Sequence, residues 1–197
     1  AIHPVDKEAG RAIFRRYHAD GAEPVVGISV RNWQHETRFK DVMAEVADRI
    51  VRELSARVVF LPMQFPEDVH AAESIAERTH EPCTVLKDEY TTSEFLSLVG
   101  NMDLMIAVRL HALIFAGVMG VPLIGISYDL KIDRFLDSIG EQPAGKLDTL
   151  TAPVLLAAVR EKWEHRRAIR QHNAALLKKQ RGLAARNAEL AIELLEK

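Results

Sequence analysis

The sequence has little cysteine, no long apolar run and almost no net charge, and each shortage excludes a class of protein. Cys83 is the only cysteine among 197 residues, so neither a disulfide framework nor a thiolate metal site can form within one chain. The longest apolar stretch, residues 110–125, falls short of the ~20 residues that span a bilayer. The net charge of −2 gives no reason to expect a nucleic-acid partner. We therefore expect a cytoplasmic protein.

Sequence patterns that hold phosphates or metals are also missing. The chain has no glycine-rich GxGxxG turn and no P-loop, and Gly27 stands alone in the first apolar run. No His, Asp or Glu residues recur at a spacing that is typical of a metal site. We therefore expect neither a metal nor a cofactor bound through such a loop.

Short apolar runs rich in Val and Ile alternate with helical patterns along most of the chain. Near-continuous hydrophobicity over four to six residues is typical of a strand that is covered on both faces. The runs are residues 25–30, 58–61, 84–86, 104–108 and 123–126. Repeated strand–helix alternation indicates a parallel sheet with right-handed crossovers. The pattern predicts an α/β, Rossmann-like doubly wound domain over residues 22–150.

Helical segments flank this domain on both sides. Residues 1–21 are expected to form an entry helix between domains, and residues 151–197 a long basic helical tail. Apolar residues recur in the tail at multiples of seven, namely Leu155, Ile169, Leu176, Leu183 and Leu190. We expect this stripe to pack on the body or on a missing domain; an intermolecular coiled coil is the alternative, although the stripe skips a turn at Lys162. The basic face could contact anionic lipid at the inner face of the membrane, or simply be solvated.

Positive charge is concentrated after the predicted strands, at the edge of the sheet where open parallel sheets bind ligands. The residues that follow the five runs are Arg31; Met63, Gln64 and Phe65; Lys87, Asp88 and Glu89; Arg109 and His111; and Tyr128, Asp129 and Lys131. Two arginines, a histidine and two lysines at one edge suit a small anion that carries phosphate and carboxylate groups. His111 is predicted in the first turn of an apolar helix, where the alternative is an ordinary polar residue at a helix start.

Two longer stretches resemble a known family. The stretch MDLMIAVRLHALIFA, residues 102–116, and the stretch GVPLIGISYDLK, residues 120–131, look like the signature of the polysaccharide pyruvyl transferases. The early VGISVR, residues 26–31, is similar to the segment that opens the C-terminal domain of that family. The resemblance is strongest to the CsaB-type enzymes, which pyruvylate secondary cell-wall polymers. Many relatives carry proline where this chain has Leu130.

The resemblance implies an architecture and a reaction. Family members resemble two-domain glycosyltransferases of the GT-B type, and this chain, which opens at Ala1, looks like the C-terminal half. Its own N-terminal domain would then be a partner, and the half alone is expected to be inactive. The implied reaction moves the pyruvyl group of phosphoenolpyruvate, as co-substrate, onto a sugar of a lipid-linked cell-wall polysaccharide precursor. No further cofactor and no metal are implied.

The resemblance also implies roles for five residues. His111 would be the general acid, and Arg109 would bind the phosphate or carboxylate of phosphoenolpyruvate, with Leu110 beside it. Lys131 would hold the anion and stabilise the departing phosphate, and Arg31 would be a further anion ligand.

Two other functions fit the same architecture. The first is a GT-B glycosyltransferase that uses a nucleotide-sugar donor, which the fold alone does not distinguish from a pyruvyl transferase. The Arg109-Leu110-His111 sequence after the fourth strand favours a compact anion over a nucleotide. The second is a non-catalytic binding or assembly module, which would be favoured if Arg109, His111 and Lys131 pointed away from one another.

Overall fold

A six-stranded parallel sheet with helices on both faces forms the core of the protein. The computed structural model describes residues 3–32 and 37–195, with residues 174–195 as backbone alone. The strands are β1 (Val25–Ser29), β2 (Arg57–Phe60), β3 (Cys83–Val85), β4 (Leu104–Ala107), β5 (Leu123–Ser127) and β6 (Gly145–Lys146). The helices are α1 (Glu8–Arg16), α2 (Thr37–Leu54), α3 (Glu67–Ala76), α4 (Thr92–Gly100), α5 (Leu110–Val118), α6 (Leu130–Ser138) and α7 (Ala152–Leu195).

The strand order is β3-β2-β1-β4-β5-β6, and every pair of neighbours is parallel. The chain first winds outward from β1 to β3, then returns through α4 to place β4 on the other side of β1. The direction of winding therefore reverses between β1 and β4. In such sheets the crevice at the carboxyl ends of these two strands is where ligands bind.

Each face of the sheet has its own hydrophobic core. One core joins the sheet to α2, α3 and α7, and the other joins it to α1, α4, α5 and α6. Alternate residues of β1 enter opposite cores: Val26 and Ile28 face α2, and Val25 faces the other layer. Burying a side chain of this size contributes about 1.5–3 kcal/mol. This two-sided burial is why β1, β2, β4 and β5 have continuous apolar sequences, and the predicted doubly wound α/β class is confirmed.

Local sequence signals place the helix starts. Thr91 and Glu94 form a reciprocal capping box at the start of α4, and the Asp129 carboxylate accepts the backbone N–H of Lys131 at the start of α6. These bonds satisfy backbone donors that the first helical turn leaves unpaired. Residues 141–151 contain no apolar run that predicts a strand, but they include β6. A two-residue strand is too short for a periodic signal, so the sequence could not show it.

The first turns of α7 pack on the body. Leu155, Val159 and Trp163 lie in the same core as α2, and the Arg170 guanidinium donates to the carbonyl oxygens of Gly100 and Met102 at 2.6 and 2.9 Å. Of the predicted stripe, Leu155 lies in this core and Ile169 is half-buried, whereas Leu176, Leu183 and Leu190 lie outside the residues whose side chains are described. Within the described part of the chain, no helix is both long and apolar enough to cross a bilayer.

The contact between α1 and α4 depends on a glycine. The Gly10 N–H donates to Ser97 Oγ at 2.8 Å, and a Cβ at position 10 would lie 2.5 Å from the carbonyl carbon and oxygen of Ser97. Because the obstacle is backbone, it cannot move aside as a side-chain tip could. The missing Cβ is what lets the two helices approach.

Replacing Gly10 with alanine should destabilise the protein although alanine favours helix. We expect the free energy of unfolding in urea to fall by about 1–3 kcal/mol, the usual cost of overpacking. Gly117→Ala is the matched control, because a Cβ there would meet only Phe135, at 4.0 Å. The control should be neutral or gain up to about 1 kcal/mol from helix propensity. Equal effects of the two substitutions would contradict the packing argument.

Candidate active site

The residues that follow β1, β4 and β5 meet at one edge of the sheet. Ser29 of β1 pairs with Ala107 of β4, and Ala107 also pairs with Gly125 of β5. Two residues further along, Arg31 and Arg109 leave neighbouring strands at equivalent positions. The predicted site residues therefore start from adjacent strands at the point where the winding reverses.

A buried carboxylate holds Arg109. The Arg109 Nε donates to Asp68 Oδ2 at 2.9 Å, its Nη2 also contacts Asp68 Oδ1, and Nη2 donates to Gln64 Oε1 at 3.0 Å. Asp68 is completely buried, whereas the Arg109 side chain is 18% exposed. Asp68 Oδ2 also accepts the backbone N–H groups of Met63 and Gln64 at 3.1 and 3.0 Å. A two-point pair of this kind fixes both the position and the plane of the guanidinium.

Two other predicted cations lie around Tyr128. Arg31 Nη1 donates to the Tyr128 hydroxyl at 2.9 Å, and the Arg31 Cζ lies 4.8 Å from the centre of the Tyr128 ring. The Lys131 Nζ lies 5.3 Å from the centre of the same ring and 3.7 Å from Asp129 Oδ2. The structure thus brings Arg31, from β1, and Lys131, from α6, to one aromatic side chain.

Asp129 ties Lys131 to the start of α6. The backbone N–H of Lys131, more than its charge, holds the pKa of Asp129 below the ordinary value of 3.8. The Asp129 carboxylate is therefore ionised at neutral pH and keeps the Lys131 amine near the sheet edge.

His111 is the second residue of α5 and is exposed. Its ring centre lies 6.4 Å from that of Phe115, one turn further along the helix. Arg109 occupies the N-cap position in an extended conformation and makes no side-chain cap. The first backbone N–H groups of α5 therefore point toward the sheet edge without a capping side chain from the described residues, an arrangement that attracts anions.

Leu110 was predicted as a substrate-binding residue along with its neighbours. Its side chain is half-buried against the core beneath α5. A substrate contact of Leu110 stays a prediction, and packing is the role that its environment shows.

Sequence reasoning missed the residues that position the cations. Asp68 was not among the predicted site residues, and Gln64 and Tyr128 were predicted only as residues that follow strands. The available signal was their place: an acid and an amide after β2 share the sheet edge with an arginine after β4. Among the side chains described, no three His, Cys, Asp or Glu residues lie close enough to hold a metal ion.

Comparison with protein families identifies the chain. The family model described as polysaccharide pyruvyl transferase matches residues 7–129, more than half of the chain. The chain belongs to the polysaccharide pyruvyl transferase family. The match includes Arg31, Arg109 and His111 and ends at Asp129, at the start of α6. No curated protein sequence matches the chain.

Solved structures with the same fold include glycosyltransferases of the GT-B type. A glycosyl transferase of family 9 from Veillonella parvula superposes with a TM-score of 0.64 at 14% identity, over 84% of this chain and 54% of that one. EarP, which glycosylates arginine of translation elongation factor EF-P, gives 0.60 at 16% identity over 94% and 66%. The C-terminal CMP-Kdo binding domain of WaaA from Acinetobacter baumannii gives 0.51 at 14% identity over 84% and 95%.

These likenesses establish the fold of this pyruvyl transferase family member and nothing finer. The chain spans about half the length of the Veillonella protein, and less than half of two further structures that it resembles. It covers nearly the whole of the WaaA domain.

Removing the charge of Asp68 should destabilise the fold and release Arg109. For Asp68→Asn we expect the free energy of unfolding to fall by about 3–5 kcal/mol, because breaking a buried pair leaves the partner charge uncompensated. Glu73→Gln, which removes the exposed Lys87–Glu73 pair, is the control and should change stability little. If both variants lost equally little free energy of unfolding in urea, Asp68 would not anchor this edge.

The low pKa of Asp129 predicts a pH effect with a definite sign. Because its folded pKa lies below 3.8, the contribution to stability is complete above that pH and is lost as the pH falls through the folded pKa. Lys131→Met should leave most of the lowering in place, since the backbone N–H remains. NMR titration of the carboxyl carbon measures the pKa of Asp129 in this variant. A return of that pKa to its ordinary value would show that the Lys131 charge, and not its backbone N–H, causes the lowering.

Proposed function

We propose that this chain forms the donor-binding half of an enzyme that transfers the pyruvyl group of phosphoenolpyruvate to a sugar, where it becomes a cyclic ketal. The membership in the polysaccharide pyruvyl transferase family supports transfer to a polysaccharide. The observation that supports phosphoenolpyruvate as the donor is the set of cations at the carboxyl edge of the sheet. Arg31 and Lys131 both lie against Tyr128, and Asp68 fixes Arg109.

A compact dianion with an added carboxylate suits this edge better than a neutral ligand. Arg109 uses its Nε and Nη2 for Asp68 and Gln64, so Nη1 is the nitrogen through which it would contact an anion. The uncapped N-terminus of α5 adds backbone N–H groups beside it. Lys131 and Arg31 would complete the ring of donors from the β5 and β1 sides. Preorganised donors of this kind stabilise charge as it develops on a departing phosphate.

The reaction balances without water. A proton added to the methylene carbon of phosphoenolpyruvate leaves cationic character at the neighbouring carbon, and one sugar hydroxyl adds there. Phosphate then leaves, and a second hydroxyl of the same sugar adds to the same carbon. Of the two hydroxyl protons released, one restores the acid and the other leaves with phosphate. The products are one cyclic ketal, with the methyl and carboxylate groups on its central carbon, and inorganic phosphate.

His111 is the proposed general acid. It is exposed at the first turn of α5, next to Arg109, so its ring can reach a ligand bound at the sheet edge. An acid positioned in this way typically contributes ~10²–10⁴ in rate.

The remaining half of the cleft and the acceptor are also part of the proposal. In GT-B enzymes two Rossmann-like domains face each other, and this chain corresponds in extent to one of them. We propose that it is the C-terminal half, that its N-terminal domain completes the cleft, and that the isolated half does not turn over. A lipid-linked saccharide of cell-wall synthesis at the inner face of the membrane is the proposed acceptor.

The substitution His111→Ala tests the acid role. In the enzyme with both halves, turnover should fall by ~10²–10⁴, while this chain should still bind phosphoenolpyruvate in a calorimetric titration. His165→Ala, an exposed histidine on α7, is the control and should keep full turnover. If His111→Ala retained more than about a tenth of the turnover, His111 would not be the acid.

A nucleotide-sugar glycosyltransferase is the second candidate. It is favoured by the structural neighbours, whose fold is shared and which include a glycosyl transferase of family 9. Saturable binding of UDP together with no binding of phosphoenolpyruvate would favour the glycosyltransferase over the pyruvyl transferase.

A further inference from the structure

A separate cavity lies between the loops that follow β2 and β3. It has a volume of about 210 Å³, and the side chains that line it include Met63, Phe65, Asp88, Glu89, Tyr90 and Phe95. We call it the aromatic cavity. None of its lining residues belongs to the cation set of Arg31, Arg109 and Lys131. The loops after β2 and β3 thus form a second cavity at the edge where the sequence places ligand binding.

The aromatic cavity is connected to both functional residues at the start of α5. On one side, Gln64 receives the Arg109 guanidinium at 3.0 Å, and its two neighbours in sequence line the cavity. On the other side, the ring centre of Phe95 lies 6.3 Å from that of Phe115, which in turn lies 6.4 Å from that of His111. A ligand in the cavity would thus lie at the same sheet edge as Arg109 and would be linked to His111 through the rings of Phe95 and Phe115.

The lining combines aromatic faces with carboxylates. Phe65 is 49% exposed, which is unusual for a side chain of this size, and Tyr90 packs edge-on against Phe95 with 5.6 Å between ring centres. Burial, followed by its interactions with Tyr17, raises the pKa of Tyr90 well above its ordinary value, so the phenol stays neutral. Aromatic rings pack on the C–H face of a sugar, and carboxylates accept hydrogen bonds from its hydroxyl groups.

The charge of the cavity disfavours a second anion. Asp88 Oδ2 accepts the Tyr90 hydroxyl at 3.5 Å and lies 3.7 Å from Arg16 Nη2, so it is partly compensated. Glu89 is exposed and forms no ion pair with any residue in the described part of the chain. A phosphate group would meet like charge here, whereas a neutral polyol would meet acceptors. Carboxylates at this end and cations at the other separate a neutral ligand from an anionic one.

The size of the cavity limits its occupant to one ring. Pockets for drug-sized ligands measure roughly 300–1,000 Å³, and the aromatic cavity is smaller than that. We infer that the aromatic cavity is the acceptor subsite and holds one neutral sugar ring of the saccharide, stacked on Phe65 and bonded through Asp88 and Glu89. This inference rests on the proposed function, because it is that function which supplies a saccharide acceptor.

The test is an NMR titration of the isotope-labelled chain with sugars. The probes are the methyl glycosides of glucose, galactose, mannose and N-acetylglucosamine, added one at a time through the millimolar range in which a single small ring binds. We expect at least one of them to shift the resonances of Met63, Phe65 and Tyr90 in a saturable way. Phe65→Ala should weaken the binding of that glycoside roughly 5- to 10-fold. Glu89→Gln should also weaken binding, although it leaves the shape of the cavity unchanged.

Two control variants match these changes. Val154→Ala also removes an exposed apolar side chain, but on α7, and Glu77→Gln removes an exposed carboxylate after α3. Both should bind the glycoside as the unmodified chain does. If no glycoside shifted these resonances, or if the controls weakened binding as much as Phe65→Ala and Glu89→Gln, the acceptor subsite would be wrong. Shifts of the same residues by UDP, with competition against the sugar, would make the cavity a nucleotide site.

Phosphoenolpyruvate is titrated in parallel so that the two proposals fail separately. Binding of phosphoenolpyruvate at Arg31 and Lys131, undiminished by Phe65→Ala, together with no sugar binding would overturn the subsite and leave the donor proposal standing. Sugar binding at the aromatic cavity without any binding of phosphoenolpyruvate would sustain the carbohydrate site and overturn the donor proposal.

Discussion

The candidate site depends on one buried carboxylate. Asp68 lies at the start of α3, with no exposure to solvent, and its oxygens accept two backbone N–H groups of the β2–α3 loop and two nitrogens of Arg109. A buried carboxylate is tolerated only when its acceptor capacity is filled in this way. The same four bonds fix the loop after β2 and the guanidinium after β4, so the two sides of the ligand edge are set by one side chain. Arg109 is consequently a fixed cation rather than a mobile one.

The charges along the edge are arranged by strand. Toward β5, Arg31 and Lys131 gather at Tyr128, and Asp129 holds Lys131 in place. Toward β3, Asp88 and Glu89 lie beside exposed aromatic surface. The α5 N-terminus, with His111, lies between the two. In the proposed reaction the carboxylates repel the anionic donor from the aromatic cavity, and the cations attract it to their own part of the edge.

Much of the fold could be predicted from the sequence, because a parallel strand buried on both faces leaves a continuous apolar run such as that of Val25 and Ile28 in β1. The caps at Thr91 and Asp129 are also encoded locally, since each joins residues no more than three positions apart. β6 could not be predicted, since two residues are too few to show a periodic pattern. The partners of the site residues were also hidden. Asp68 and Arg109 lie 41 positions apart, and only the sheet topology brings them together. Tyr128 likewise meets Arg31 across 97 positions.

We propose that the cations at this edge form a site for phosphoenolpyruvate. The most direct measurement is a nitrogen-detected NMR titration that follows the side chains of Arg31, Arg109 and Lys131 while phosphoenolpyruvate is added to the chain. We expect saturable shifts at all three side chains with a single dissociation constant. Shifts at none of them, or saturable shifts with UDP and none with phosphoenolpyruvate, would contradict the proposed site.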